Sequence, residues 1–446
     1  MWGRLKHKSL NLRFKLISFQ LSIFSRNFAA YPLKAKAAVR TLPGGQLRNW
    51  SAIRHPSLFK LGCKLKLPCR RTVRLTRTMA TIALDATYSA EPNLTGIGVY
   101  SRRLIETLPT LETSHRFLFC YRLSRWGKRH YFLKPESIPN ARSRFSTCVY
   151  QEPLTFWLPW QAPLFHSLAQ RPPAFHFRQE IVTVFDIFPI TGENYSTPEF
   201  RKKFSDLLLQ ATGRATRVIT SSHATEKLLI SHAHVPPEKI RVIPLGVDPP
   251  SVSLSPAERL QERARILGGE GELILSVGVV QTRKNTLNMV KALKSLPNNY
   301  KLVLSGGNGY GAEAIHEFIR TESLGDRVKL LGFIDDAHLA RLYQAASVFL
   351  FPSFEEGFGI PVLEALANSV PVVTSNVSSM PEVGGEAALY VDPHNPADIA
   401  QKVMQAVEDL QLRKSLAQIG IARASKFTWR RTAEETLAVY DEVLNP

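Results

Sequence analysis

The 446-residue chain has no Asp or Glu before Asp85, no Cys-x-x-Cys, no Asp-x-Asp and only four cysteines, Cys63, Cys69, Cys120 and Cys148. Four cysteines so spaced make no disulfide framework, so a reducing, cytosolic location is expected. No stretch reaches the ~18 uncharged apolar residues that a membrane-spanning helix needs. His232 and His234 lack nearby Cys or Glu in sequence and read as a loop pair rather than a metal site.

The scarcity of acid is local. The first 78 residues hold 18 of the 57 Lys+Arg and none of the 37 Asp+Glu. The other 39 cations face 37 acids, so of the formal +20 only +2 belongs to residues 79–446. The high pI therefore gives no reason to read the whole chain as a nucleic-acid binder.

Three readings compete for the leader, residues 1–78. A transit peptide shares its Arg- and Ser-rich composition, and a membrane- or nucleic-acid-binding arm would also be basic. A secretory signal fits poorly, because Leu10, Leu12, Phe14 and Leu16 alternate with polar or basic residues. The third reading is a start of translation at Met79, directly before the strand-like TIALD, which would make the leader dispensable.

At about 150 residues per domain, the remaining 368 residues predict two domains, each with a full core. Strands are expected at 81–85, 117–121, 181–185, 217–221, 240–244, 273–278, 301–305, 328–331, 347–351, 371–374 and 389–391. Helical patterns lie between most of them, at 200–212, 223–231, 285–296, 336–346 and 361–369. Such alternation predicts α/β architecture, two Rossmann-like doubly wound domains with ligand at the carboxyl ends of parallel strands and in the cleft between domains. Pro249, Pro250 and Pro256 interrupt the pattern. The expected division is a leader at 1–78, a first domain at 79–250, a second at 251–427 and a closing helix at 428–446. The first domain carries 20 Lys+Arg against 14 acids, and residues 251–446 carry 19 against 23.

Residues 355–367, EEGFGIPVLEALA, carry the most specific chemistry. Gly357 and Gly359 let backbone approach a ligand closely, and Pro361 suits a first helical position. A helix beginning there aims free N–H groups and its positive end past Phe358 and Ile360, which favours a phosphate. Glu364, one turn in, has the acceptor oxygens that two vicinal ribose hydroxyls require. Glu356, across the glycine turn, can serve hydroxyls of a second sugar. Two solvated glutamates on an ordinary strand–turn–helix are the plain alternative; seven residues between them, enclosing Gly-Phe-Gly and Pro, weigh against it.

With this segment the chain resembles the family 4 (group 1) retaining glycosyltransferases of the GT-B fold. The resemblance extends over residues 79–446. It includes TGIGVYSRRL (95–104), VITSSHATEKLL with VPPEKIRVIPLGVDP (218–249), SVGVVQTRKN (276–285), GGNGYG (306–311) and PVVTSN…MPEVGGEAALYVDP (371–393). It implies transfer from a nucleotide-sugar donor to a glycan or lipid-linked acceptor in polysaccharide or glycoconjugate assembly, and a last helix that crosses back to the first domain. It further implies that Glu364 binds the ribose and that Glu356 and the Gly357–Ile360 backbone bind the donor sugar and pyrophosphate. Arg283 and Lys284 stabilise the departing nucleoside diphosphate, and Gly307, Phe333 and Ile334 border the base. Many relatives place an arginine where this chain has Val279. No metal is required where two cations can act, and no Asp-x-Asp is present to hold one. Arg-Lys-Asn at 283–285 leans the donor toward GDP-mannose.

In the first domain, Gly96 and Gly98 miss the third glycine of a dinucleotide fingerprint and read by resemblance as a loop beside the transferred sugar. Asp186 is an acceptor-side candidate, although Phe185 stands where relatives often have histidine, and His166, at the end of a strand LFHS, reads equally as a second cleft candidate or as a packed or solvent-bonded histidine. Residues 122–134, RLSRWGKRHYFLK, interleave cations with Trp126, Tyr131 and Phe132, a pattern that suits a solvated helix with ordinary packing aromatics or a contact with an anionic membrane at the inner face. Besides a degenerate sugar-binding protein without turnover, against which intact Glu356, Glu364, Arg283 and Lys284 argue, two other functions compete. One is a sugar-nucleotide epimerase on the same scaffold, which would not be expected to show the Glu–Gly-Phe-Gly–Glu arrangement. The other is nucleic-acid binding through the leader, with no specific nucleic-acid contact in the body.

Overall fold

The computed structural model describes residues 79–445. The leader expected at 1–78 lies outside them.

Two all-parallel sheets organise the chain. The first contains β1 (Thr81–Asp85), β2 (Arg116–Arg122), β3 (Phe145–Tyr150), β4 (Leu164–Ser167), β5 (Gln179–Thr183), β6 (Arg217–Thr220) and β7 (Ile240–Val242), in the order 3-2-1-4-5-6-7. The second contains β8 (Glu272–Val277), β9 (Tyr300–Ser305), β10 (Val328–Gly332), β11 (Val348–Phe351), β12 (Val372–Ser375) and β13 (Ala388–Val391), in the order 10-9-8-11-12-13. Both orders reverse direction beside their first strand, at β1/β4 and at β8/β11. A doubly wound sheet opens its ligand crevice at that reversal, at the carboxyl ends of the strands. The strands form because their runs are apolar on both faces: β11 (VFLF) and β12 (VVTS) are buried at every position.

The eleven strands expected from the alternation are present with ends shifted by at most two residues, β5 lying two residues early at Gln179–Thr183, and β4 is the LFHS run that carries His166. The pattern missed β3. Its FSTCVY pairs on one side only, with β2, and leaves polar side chains outward, so no continuous apolar run marks it.

Helix ends follow local chemistry. Ser255 and Glu258 form a reciprocal capping box at the start of Pro256–Leu267, with Pro256 in the first turn. The last helix, Trp429–Leu444, crosses back to the first sheet. There His115 Nε2 lies 2.9 Å from Asp441, His166 Nδ1 lies 2.6 Å from the Tyr440 hydroxyl, and Arg217 and Arg241 both pair with Glu442.

Candidate active site

The loops after β8 and β11 flank the crevice of the second sheet. The β8 loop starts at Gly278 and carries Arg283 and Lys284; the β11 loop carries Glu355 to Gly359 and runs into the helix Ile360–Ala367. Gly359, at φ 105°, makes the left-handed turn that starts this helix, and Pro361 sits in its first turn. The β8 loop is fixed by Asn285, whose side-chain amide donates to Pro352 O at 2.9 Å and Pro393 O at 2.6 Å. Gly278 must be glycine-like at φ 141°, and the β9 loop packs against it so closely that a Cβ on Gly306 would lie 2.0 Å from Gly278 O.

This framework brings together Arg283, Lys284, Glu356 and Asp186. Arg283 Nη1 lies 3.1 Å from one Glu356 oxygen and Lys284 Nζ lies 2.5 Å from the other, and all three side chains are buried or nearly so. The cations also rest on rings, Arg283 4.4 Å above Phe188 and Lys284 4.5 Å above Phe351. Burial raises the Glu356 carboxyl, but Arg283 and Lys284 more than reverse this and hold it at about 2. Burial pushes the Lys284 ammonium below its ordinary range in spite of Glu356. Asp186, just past β5, is raised by burial against the lowering field of Arg283. Arg283 Nε and Glu355 Oε1 are buried without hydrogen-bond partners among the described residues.

A testable consequence concerns acid stability. Glu356 has a folded pKa near 2 against an ordinary 4.5, so its contribution is complete above about 4.5 and is lost as pH falls toward 2. The wild type should therefore exceed Glu356→Gln in urea midpoint at neutral pH, with the gap closing over that acid range. A gap that stays constant down to pH ~2 would show that the carboxylate is not paired in solution.

Glu364 lies on the helix after the glycine turn. Its carboxylate accepts from the Tyr343 hydroxyl at 2.7 Å, and burial, with Asp248 and Asp336 adding to it, raises its pKa. One oxygen thus has a fixed partner that orients the group. Phe333 is exposed and Ile334 half-buried just beyond β10, and Gly307 is exposed beyond β9, so all three line the end of the sheet where the other loops converge. Gly307 O accepts from Val280 N at 2.9 Å. Gly96 and Gly98 open the helix Gly96–Thr107; Gly96 has open space where a Cβ would be, while Gly98 is packed against Leu94 and Tyr88 O.

Two placements decide between alternatives that the sequence leaves open. His166 is not at a cleft surface. It is fully buried, with Nδ1 on Tyr440 and Nε2 2.8 Å from Thr183 Oγ1, and burial holds its pKa down to about 3. It is a neutral core histidine that ties the last helix to the first sheet. In the segment 122–134, Phe132 stacks on Tyr121 with centroids 3.9 Å apart, and Tyr131 packs against the core. Arg125 and Lys128 are both paired with Glu91. Of its aromatics only Trp126 is exposed.

Several contributors carry no single-residue signal in the sequence. Gly357 O accepts from Ser222 Oγ at 2.7 Å and Ser221 Oγ at 3.1 Å, so the glycine turn of the second domain docks on the first. Glu382 accepts from the free backbone N–H groups of His223 and Ala224 at 2.8 and 2.7 Å, capping a first-domain helix from the second. Thr191 donates to Glu355 at 2.5 Å. The segments VITSSHATEKLL and MPEVGG were visible as motifs, but a partnership across more than 130 residues has no sequence signature.

Comparisons with known proteins agree with the two-sheet fold. The family described as Glycosyltransferase Family 4 matches residues 95–250, and that described as Glycosyl transferases group 1 matches residues 259–423. An O-antigen chain mannosyltransferase B of Escherichia coli is 28% identical over 370 residues, covering 78% of this chain and 96% of that one. The serotype-specific mannosyltransferase WbdA of the same organism is 28% identical over 270 residues, 58% of this chain; the chain spans about a third of WbdA's length, 33%. The solved structure of Anabaena Alr3699/HepE in complex with UDP and glucose superposes with a TM-score of 0.63 at 17% identity, over 81% of this chain and 100% of that one.

Proposed function

Because the chain belongs to the group 1, family 4 glycosyltransferases of the GT-B fold, we propose that it moves a hexose from a nucleotide-sugar donor to a glycan or lipid-linked acceptor with retention at the anomeric carbon. The observation that carries the reading is the buried cluster of Arg283, Lys284 and Glu356 beside a helix N-terminus that begins at Gly359.

In this reading the donor pyrophosphate lies against the Gly357–Ile360 backbone and the positive end of Ile360–Ala367. Glu364, oriented by Tyr343, accepts hydrogen bonds from the ribose hydroxyls. Arg283 and Lys284 sit where negative charge grows as the glycosidic C–O bond breaks, so they stabilise the leaving diphosphate without reorganising. Glu356 holds both cations in position, and in the sugar-bound state its remaining lone pairs serve donor hydroxyls. The leaving phosphate oxygen takes the acceptor proton, so no protein base is required. With Val279 in place of a third cation, this charge falls on Arg283 and Lys284 alone.

GDP-mannose is the favoured donor. Its support is Arg-Lys-Asn at 283–285 together with the mannosyltransferase names of two relatives. Thermal-shift measurements of the full chain against GDP-, UDP- and dTDP-sugars, followed by donor hydrolysis, test the choice: the cognate donor alone should raise the midpoint and be cleaved. A product that is an epimerised sugar nucleotide would overturn the transferase reading.

Glu364→Ala should weaken nucleotide binding roughly 10- to 100-fold, the loss expected for hydrogen bonds to a charged acceptor. Titration calorimetry with the nucleoside diphosphate measures it. An unchanged Kd would remove Glu364 from the ribose site.

A further inference from the structure

The carboxyl end of the first sheet carries a surface that the donor chemistry leaves unused. The loops after β2 and β3 meet there. Arg122 and Arg125 from one, and Gln151 and Glu152 from the other, line a single cavity of about 280 Å³. Arg122 Nη1 lies 3.6 Å from the Glu152 carboxylate and links them.

Beyond the cavity the β3 loop presents large apolar side chains to solvent. Leu154 is 59% exposed, Phe156 62% and Trp160 80%. Phe156 meets Trp157 and Trp160 edge-on, with centroids 5.8 and 5.9 Å apart, so the rings form one cluster. The presentation is built into the segment. Thr155 and Leu158 are buried between the exposed residues, and the Thr155 hydroxyl donates to Gln151 O at 3.2 Å. On the neighbouring loop Trp126 is 38% exposed with Arg129 5.4 Å from its ring. Arg129 and Arg171 are exposed, and neither has a carboxylate partner among the described residues.

Exposed Trp and Phe flanked by unpaired cations match the headgroup region of an anionic bilayer, where amphipathic rings reside and basic side chains meet lipid phosphates. We propose that Leu154, Phe156 and Trp160 form a membrane-docking element that inserts into an anionic bilayer, with Arg129 and Arg171 against the headgroups. Charge favours this occupant over a second copy of the chain, since a two-fold contact through this face would bring the same positive flanks together. The contact therefore centres on residues 154–160 rather than on 122–134, whose Tyr131 and Phe132 are turned inward. Its use, presenting a lipid-linked acceptor at the open end of the first sheet, rests on the acceptor reading above. The docking itself is tested with neither donor nor acceptor, so either can fail alone.

The full chain and its Trp160→Phe variant are mixed with vesicles of phosphatidylcholine and phosphatidylglycerol brominated on the acyl chains. The wild type should show quenched tryptophan emission, and Trp160→Phe should lose most of that quenching. Leu154→Ser with Phe156→Ser should lower the vesicle-bound fraction at least about 10-fold. Both variants should keep the donor-induced thermal shift, because the side chains replaced are exposed. Equal quenching of wild type and Trp160→Phe would place the contact at another of the six tryptophans and overturn the proposal. So would an unquenched wild type, including one that sediments as a dimer which the serine variant dissolves.

Discussion

Lys284→Ala is expected to lower kcat by about 10²- to 10³-fold while the donor Kd stays within a few-fold of wild type. The ammonium is held between a Glu356 oxygen at 2.5 Å and the face of Phe351 at 4.5 Å, so it cannot follow a ligand outward. A fixed cation in a dry site interacts most strongly with charge that is still growing. Ground-state pyrophosphate already has the Gly357–Ile360 backbone and Arg283, so binding loses less than turnover. Single-turnover donor cleavage and nucleotide titration separate the two quantities. A variant that keeps wild-type kcat, or that loses affinity and turnover equally, would remove Lys284 from the leaving-group role.

Gly357→Ala should have an effect of similar size by a different route. A Cβ at this position would lie 2.0 Å from Phe185 O and 3.2 Å from the Asp186 Cβ, and neither neighbour is a flexible side-chain tip. The added methyl therefore holds the two sheets apart at the glycine turn. It also pulls Gly357 O away from Ser221 and Ser222. Displacement of reacting groups by about 1 Å costs on the order of 10²-fold in rate. The expected result is that loss in kcat/KM with little change in the melting temperature, since each domain core is untouched. Transfer within a few-fold of wild type would mean that this closed arrangement is not the one in which chemistry occurs.

The sequence disclosed the frame and half of the site. Strands buried on both faces announce themselves as apolar or β-branched runs, so β11 and β12 are visible; β3, paired on one side only, is not. The cations and Glu356 could be named from two short motifs, but their mutual ion pairing could not. That pairing joins residues 73 and 72 positions apart and depends on the sheet order that sets β8 beside β11. His166, near the end of a strand at the ligand side, reads from sequence as either a cleft or a packed histidine. Burial decides for the packed one, since Tyr440 arrives from the far end of the chain and covers it. The aromatic–basic pattern at 122–134 was legible as composition, whereas the direction of each ring was set by Tyr121 beneath Phe132.

The returning helix also limits how the protein can move. The chain passes between the two sheets twice, once after Ile240–Val242 and once before Trp429–Leu444, and the two passages touch: Val247 N donates to Phe427 O at 3.1 Å, and a Cβ on Gly246 would lie 2.3 Å from Trp429 N. A single tether would let one domain swivel freely about the other. Two tethers pinned side by side behave like a door leaf on its pin, leaving rotation about one axis and suppressing twist. Rotation about that axis would bring Gly357 back to the same seat on Ser221 and Ser222, and with it the Arg283–Lys284–Glu356 cluster to the same place against the facing domain.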